Sequence, residues 1–284
     1  MGRFAYVNGS YVEHYNASLS IDDRGLQFGD AVYEVYSYKD GKVMDDELHL
    51  NRLERSLNEI GIDMPMSRPA FKIIVSKLVK LNRLKTGLVY FQISRGTYPR
   101  DHVIPKQPLI PNIIITTKNM PIADNSKAVK PIKVISQDDI RWGRVDIKTV
   151  MLLPNCLAKT NGRDEGTGEI VFVKDGVVTE SASSNFFFVD KDDNIITAPI
   201  DNILKGITRT TLFELAKQLK LNVIEREFTL VEAKQAKEAF VTSATQIVKP
   251  VYQIDDTKIG DGKNYPICEK LYDTYMAEVP KCTD

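Results

Sequence analysis

The chain has 284 residues, enough for one large domain or two ordinary ones, and its 43% hydrophobic and 27% charged content is that of a soluble globular protein. Its 38 basic and 38 acidic residues cancel, which argues against a general nucleic-acid or anionic-membrane surface. No apolar run approaches the roughly 20 residues that span a bilayer, and residues 1–9 lack the apolar stretch of a secretory signal.

Along the chain, Asn8-Gly9 and Asp40-Gly41 are hairpin turn signals in the first part. Leu50, Leu53, Leu57 and Ile60 fall at helical spacing, as do Phe71, Ile74, Val75, Leu78 and Leu81. Strand-like runs follow at 88–94 and 112–117. The apolar pattern then gives way to Lys, Asn, Pro and Asp, so the chain divides into an N-terminal domain (1–118), a linker (119–130) and a C-terminal domain (131–284). The second part opens with a strand at Lys133. A helix-like stretch follows Lys148. A hairpin turns at Lys174-Asp175-Gly176, and strands follow at 185–189 and 194–198. A helix runs from Thr208, Ala239–Thr242 forms the last buried strand, and a helix near 265–279 closes the chain. Strands and helices mix without strict alternation or a repeat, which gives an α+β protein of two domains.

Three places carry chemistry. Lys148 lies among Ile147 and Val150-Met-Leu-Leu; an amine in apolar surroundings is freed to attack a carbonyl, a pattern that also fits a lysine-dependent aldolase. Glu180 ends a strand whose alternation leaves it pointing in or out. A carboxylate there suits a protonated ring nitrogen. Gly206-Ile207-Thr208 precedes a helical pattern, so its amides and hydroxyl form a phosphate cup, an ordinary helix cap, or both. The three histidines are dispersed, and Cys156, Cys268 and Cys282 have no metal-like spacing. No metal site is expected, and the cysteines read as free thiols in a reducing cytoplasm.

In order, Asp-Arg-Gly-Leu-Gln-Phe-Gly-Asp-Ala-Val-Tyr-Glu-Val (23–35), Glu-Leu-His-Leu-Asn-Arg-Leu (47–53), Tyr-Phe-Gln-Ile-Ser-Arg-Gly-Thr-Tyr-Pro-Arg-Asp-His (90–102), Arg-Val-Asp-Ile-Lys-Thr-Val-Met-Leu-Leu-Pro-Asn (144–155), Val-Val-Thr-Glu-Ser-Ala-Ser-Ser-Asn (177–185) and Ile-Leu-Lys-Gly-Ile-Thr-Arg (203–209) resemble the class IV, or fold-type IV, aminotransferases over nearly the whole chain. Within them the sequence is most similar to the D-amino acid aminotransferase branch. The resemblance implies a smaller N-terminal α+β domain, a larger C-terminal domain with a barrel-like sheet, and pyridoxal 5′-phosphate between them. It makes Lys148 the Schiff-base lysine and proton shuttle, and Glu180 the partner of the ring nitrogen. Arg52, Ser183, Ser184, Gly206, Ile207, Thr208 and the 243–245 stretch would hold the phosphate, and Arg141 would lie near the ring hydroxyl. His49 is structural. The pattern is broken at Ser181, where glycine is usual, and at Ala244, where a threonine usually donates to the phosphate; Ser243 or Thr245 is left to substitute.

On the same resemblance Tyr33, Arg100 and His102 form a trap for the substrate carboxylate, the last two reaching in from the other subunit of a homodimer. The implied reaction exchanges amino groups between D-alanine or D-glutamate and pyruvate or 2-oxoglutarate. A branched-chain L-amino acid aminotransferase, a lyase like 4-amino-4-deoxychorismate lyase, and an inactive dimeric scaffold are the rival readings.

Overall fold

The structure is a computed structural model that describes residues 3–279; Cys282 lies outside them. The chain forms two compact units. Among the described residues the first holds 3–122 together with Ile147–Met151, and the second holds 123–146 and 152–279.

In the first unit, β1 (Phe4–Val7) and β2 (Ser10–Glu13) form a hairpin across Asn8-Gly9. Both turn residues have positive φ, 45° and 95°, the mirror-image turn that matches strand twist. After the short helix α1 (Arg24–Phe28) come β3 (Ala31–Lys39) and β4 (Lys42–Val43), joined by the same turn at Asp40-Gly41. Helices α2 (Asp46–Glu59) and α3 (Arg68–Leu81) follow, then β5 (Thr86–Ser94) and β6 (Asn112–Asn119). The six strands form one sheet in the order β2-β1-β6-β5-β3-β4. Leu50, Leu53 and Leu57 of α2 and Phe71, Val75 and Leu78 of α3 pack with Tyr36, Val89, Phe91 and Ile115 into one core. Ser67 caps α3 and Pro69 sits in its first turn, where a missing N–H does no harm.

The second unit begins with β7 (Ile132–Asp138), α4 (Leu153–Asp164), β8 (Glu169–Lys174), β9 (Val177–Ser181), β10 (Asn185–Val189) and β11 (Ile195–Thr197). It continues with α5 (Ile207–Gln218), β12 (Val223–Glu225), α6 (Leu230–Lys234), β13 (Glu238–Ser243), β14 (Ile247–Ile254), β15 (Thr257–Lys258) and α7 (Pro266–Glu278). The main path of its sheet runs β12-β11-β10-β13-β14-β7-β8-β9. The last of these, β9, also lies against β10, so the sheet curls toward a barrel. Phe186 and Phe188 fill one face with Ala239, Val241 and Val251, while Phe187 stacks on Phe240 at 5.0 Å on the other.

Two details differ from the sequence reading. Ile147–Met151 does not stay with the second unit. Tyr33 N–H donates to the Lys148 carbonyl (3.0 Å), Val150 N–H donates to Ala31 (3.1 Å), and Ile147 joins the first unit's core. The helix after Lys148 therefore starts only at Leu153, with Pro154 in its first turn. Nor is Ala239–Thr242 the last buried strand, since β14 follows and pairs with it. Lys249-Pro250 disguises β14, but its pairing to β7 starts at Val251, beyond the proline that lacks an N–H.

Candidate active site

In the first unit Lys148 sits on the irregular segment paired to the start of β3. Its N–H donates to Ser56 Oγ (3.3 Å), Val32 bridges to Thr149, and its Nζ lies 4.2 Å from the centroid of the Tyr33 ring. Among the described residues no carboxylate pairs with that Nζ. The Tyr33 ring stacks on Tyr90 at 5.7 Å, and burial, reinforced by Tyr33, pushes the Tyr90 phenol up to about 12.

Arg52 projects from α2, where Glu34 of β3 accepts from its Nε (2.6 Å) and Nη2 (2.8 Å). The same carboxylate meets His49 Nδ1 at 2.7 Å. Burial would raise Glu34, but Arg52 and His49 outweigh it and hold the carboxyl well below the usual range. The fork fixes the plane of the Arg52 guanidinium.

Arg100 and His102 come together on one ring: the Arg100 guanidinium lies 4.8 Å and the His102 ring 5.3 Å from the centre of Phe28. Buried Arg24 holds their loop from beneath. Its Nη1 donates to the Asp101 carbonyl at 2.7 Å, and its Nε donates to Asp30 at 2.8 Å. No hydrogen bond or ring contact among the described residues joins Tyr33 to Arg100 or His102.

In the second unit Glu180 points inward and is buried. Its Oε1 accepts from Arg141 Nη1 (2.6 Å) and the Leu204 N–H (3.1 Å), and its Oε2 accepts from Asn185 Nδ2 (3.0 Å). Burial pushes its carboxyl up, against the pull of Arg141 and Leu204. Asp139 takes the other edge of Arg141 at 2.8 and 2.7 Å and receives the Thr179 hydroxyl (2.9 Å). Asp139 and Asn185 were missed in the sequence. The spacing Asp-x-Arg (139–141) was visible, but only the fold shows that both residues serve Glu180.

The twelve-residue helix α5 begins after Gly206 with no side-chain cap. Thr208, 2% exposed in its first turn, has an Oγ1 with no hydrogen-bond partner. A buried, uncapped helix start with an orphaned hydroxyl fits a phosphate group. A Cβ at Gly206 would come within 2.0 Å of Asn185 Oδ1, so only glycine permits that approach. Ser183 and Ser184, expected at the phosphate, instead donate to buried Glu169 at 2.6 and 3.1 Å. Each hydroxyl has one proton, so neither can donate to phosphate at the same time. Ser243 and Thr245 Oγ1 share a hydrogen bond at 3.1 Å, and Ala244 between them has no hydroxyl. Ile247, which closes this turn, is a buried β-branched residue at φ 58°, a strained conformation of the kind that gathers at ligand clamps.

The profile of the family described as amino-transferase class IV matches residues 31–254. The chain belongs to the class IV aminotransferases. A D-alanine aminotransferase of Listeria monocytogenes serotype 4b is 36% identical over 275 residues, covering 96% of this chain and 95% of the relative. One from Bacillus licheniformis is 37% identical over 266 residues, covering 93% of each. The branched-chain amino acid aminotransferase structure of Escherichia coli superposes with a TM-score of 0.89 at 20% identity, covering 100% of this chain and 97% of that one, and shows that the fold is shared. The chain is thus a transaminase that depends on pyridoxal 5′-phosphate. The residues present fit that group: an amine without an acidic partner, a buried carboxylate held by three donors, and an uncapped helix start. Among the described residues no helix is long and apolar enough to cross a membrane, and no cluster of His, Cys, Asp or Glu could hold a metal.

Proposed function

We propose that this aminotransferase moves amino groups between D-amino acids, D-alanine and D-glutamate first, and 2-oxo acids such as pyruvate and 2-oxoglutarate. The observation that carries this reading is the match, over nearly the full length of both chains, to relatives named D-alanine aminotransferases. The cofactor supplies the electron sink that makes the substrate Cα–H acidic. Lys148 would tether the cofactor, then take the proton from the substrate Cα and hand it to the cofactor carbon that carried the aldehyde. Glu180, steadied by Arg141, keeps the ring nitrogen cationic. The amides of Gly206, Ile207 and Thr208 and the Thr208 hydroxyl receive the phosphate, helped by Arg52. Ser243 and Thr245 border it, while Ser183 and Ser184 support the loop through Glu169.

Tyr33 and the Arg100/His102 pair bind the substrate carboxylate, the pair coming from a second copy of the chain in a homodimer. Exposed Ile21, Leu26, Val103, Ile104 and Ile110 support such a dimer, since exposed apolar groups gathered in one unit favour a partner. The site would work in the cytoplasm, with 1–118 as the N-terminal domain, 119–130 as the linker and 131–284 as the C-terminal domain apart from Ile147–Met151, which belongs with the first unit.

Single-turnover half-reactions with D-alanine, D-glutamate, L-leucine and (R)-1-phenylethylamine test the assignment. Conversion of the cofactor to its amine form by the two D-amino acids is expected; conversion by L-leucine alone overturns it.

A further inference from the structure

We infer that Asn185 is a positioning residue that locks the Glu180 carboxylate and the 204–206 loop ahead of α5 into one frame, thereby fixing the tilt of the cofactor ring relative to its phosphate. The inference rests on the reading that Glu180 faces the ring nitrogen and that the start of α5 receives the phosphate.

Asn185 is the first residue of β10 and is 3% exposed. The two hydrogens of its Nδ2 go to two acceptors, Glu180 Oε2 at 3.0 Å and the Leu204 carbonyl at 2.9 Å. Leu204 answers with its own N–H to Glu180 Oε1 at 3.1 Å. Strand end, carboxylate and loop thus close a ring of three hydrogen bonds. The amide orientation is set by chemistry, since turning it over would aim the carbonyl at two acceptors. On its other side Oδ1 lies against Gly206, where a Cβ would stand 2.0 Å away. One side chain therefore touches the ring-nitrogen partner, the loop and the glycine before the helix. Neither an acid nor an apolar residue of the same size does the same. Aspartate has no hydrogen to give and sets a second negative charge against Glu180, whereas a leucine of similar size leaves a buried carboxylate oxygen and a carbonyl unpaired.

The test uses full-length holoenzyme of wild type, Asn185→Asp, Asn185→Ser and Glu180→Gln. Three quantities are read: the pH titration of the bound cofactor's visible absorbance, its dissociation constant by equilibrium dialysis, and the half-reaction rate with D-alanine. Asn185→Asp is expected to shift the titration, weaken cofactor binding and slow the half-reaction by about 10- to 100-fold, as misplacement on the scale of an ångström does. If that variant does not fold, Asn185→Ser, shorter and uncharged, carries the test with the same expected directions. Thr242→Val, which alters the residue registered opposite Asn185 on β13, should leave all three unchanged. If Glu180→Gln moves the titration and the folded Asn185 variants leave both titration and dissociation constant at wild-type values, the inference falls. If Glu180→Gln itself moves nothing, the failure belongs to the Glu180 assignment beneath it.

Discussion

Glu34 has no role assigned from the sequence, yet Arg52 and His49 both depend on it. It pairs with Arg52 and His49 at zero side-chain exposure. Its carboxyl is depressed below the ordinary value near 4.3. A depressed acid contributes stability that is present above its unfolded pKa and lost as pH falls below it toward the folded one. Glu34→Ala should therefore cost the apoenzyme about 3–5 kcal/mol at pH 7. The gap to wild type should narrow as pH drops below about 4, measured by urea unfolding across pH. A constant gap would show that the ion pair contributes nothing. At this scale local motifs single out Lys148 and Glu180 in the sequence as the candidates. Glu34, Asp139 and Asn185 have no such marking: Glu34 meets its partners only when α2 packs on β3, and Asp139 and Asn185 gain their meaning only once Glu180 is turned inward between Arg141 and Leu204.

The α1–β3 connection and the loop after β5 behave as one element. Arg24 and Arg95 share the carboxylate of Asp30, and each also ties down backbone carbonyls, Asp101 for Arg24 and Gly61 for Arg95. The loop carrying Arg100 and His102 is thereby anchored to α1. Arg24→Lys keeps the charge but loses the planar fork. It should raise KM for D-alanine by about 10-fold while leaving borohydride-fixed loading on Lys148 intact, consistent with displaced substrate contacts rather than lost cofactor. Unchanged KM would mean that the loop holds itself. Hairpins were the elements most readable in advance, since Asn8-Gly9, Asp40-Gly41 and Asp175-Gly176 each adopt the paired positive φ that their residue types favour. β14 and the short α6 were not legible. A proline masks the first, and the five residues of the second are too few to show a period.

At the scale of the whole molecule, the proposed trap makes a prediction that no single chain can satisfy. Lys148→Ala and Arg100→Ala variants, each weak alone, should recover activity when unfolded and refolded together. Random pairing makes half the dimers mixed, and each mixed dimer holds one complete site, so about a quarter of wild-type activity should return. No recovery would place Arg100 at the site of its own chain.

The neighbour of Arg141 offers a last consequence. Trp142 is the chain's one tryptophan; it is 37% exposed and directly follows the arginine bonded to Glu180. Excited at wavelengths beyond the absorption of its 12 tyrosines, this protein therefore emits from a single place. Its quenching as the coenzyme enters, by energy transfer to a chromophore close by, would give a luminescent meter of occupancy with no label added.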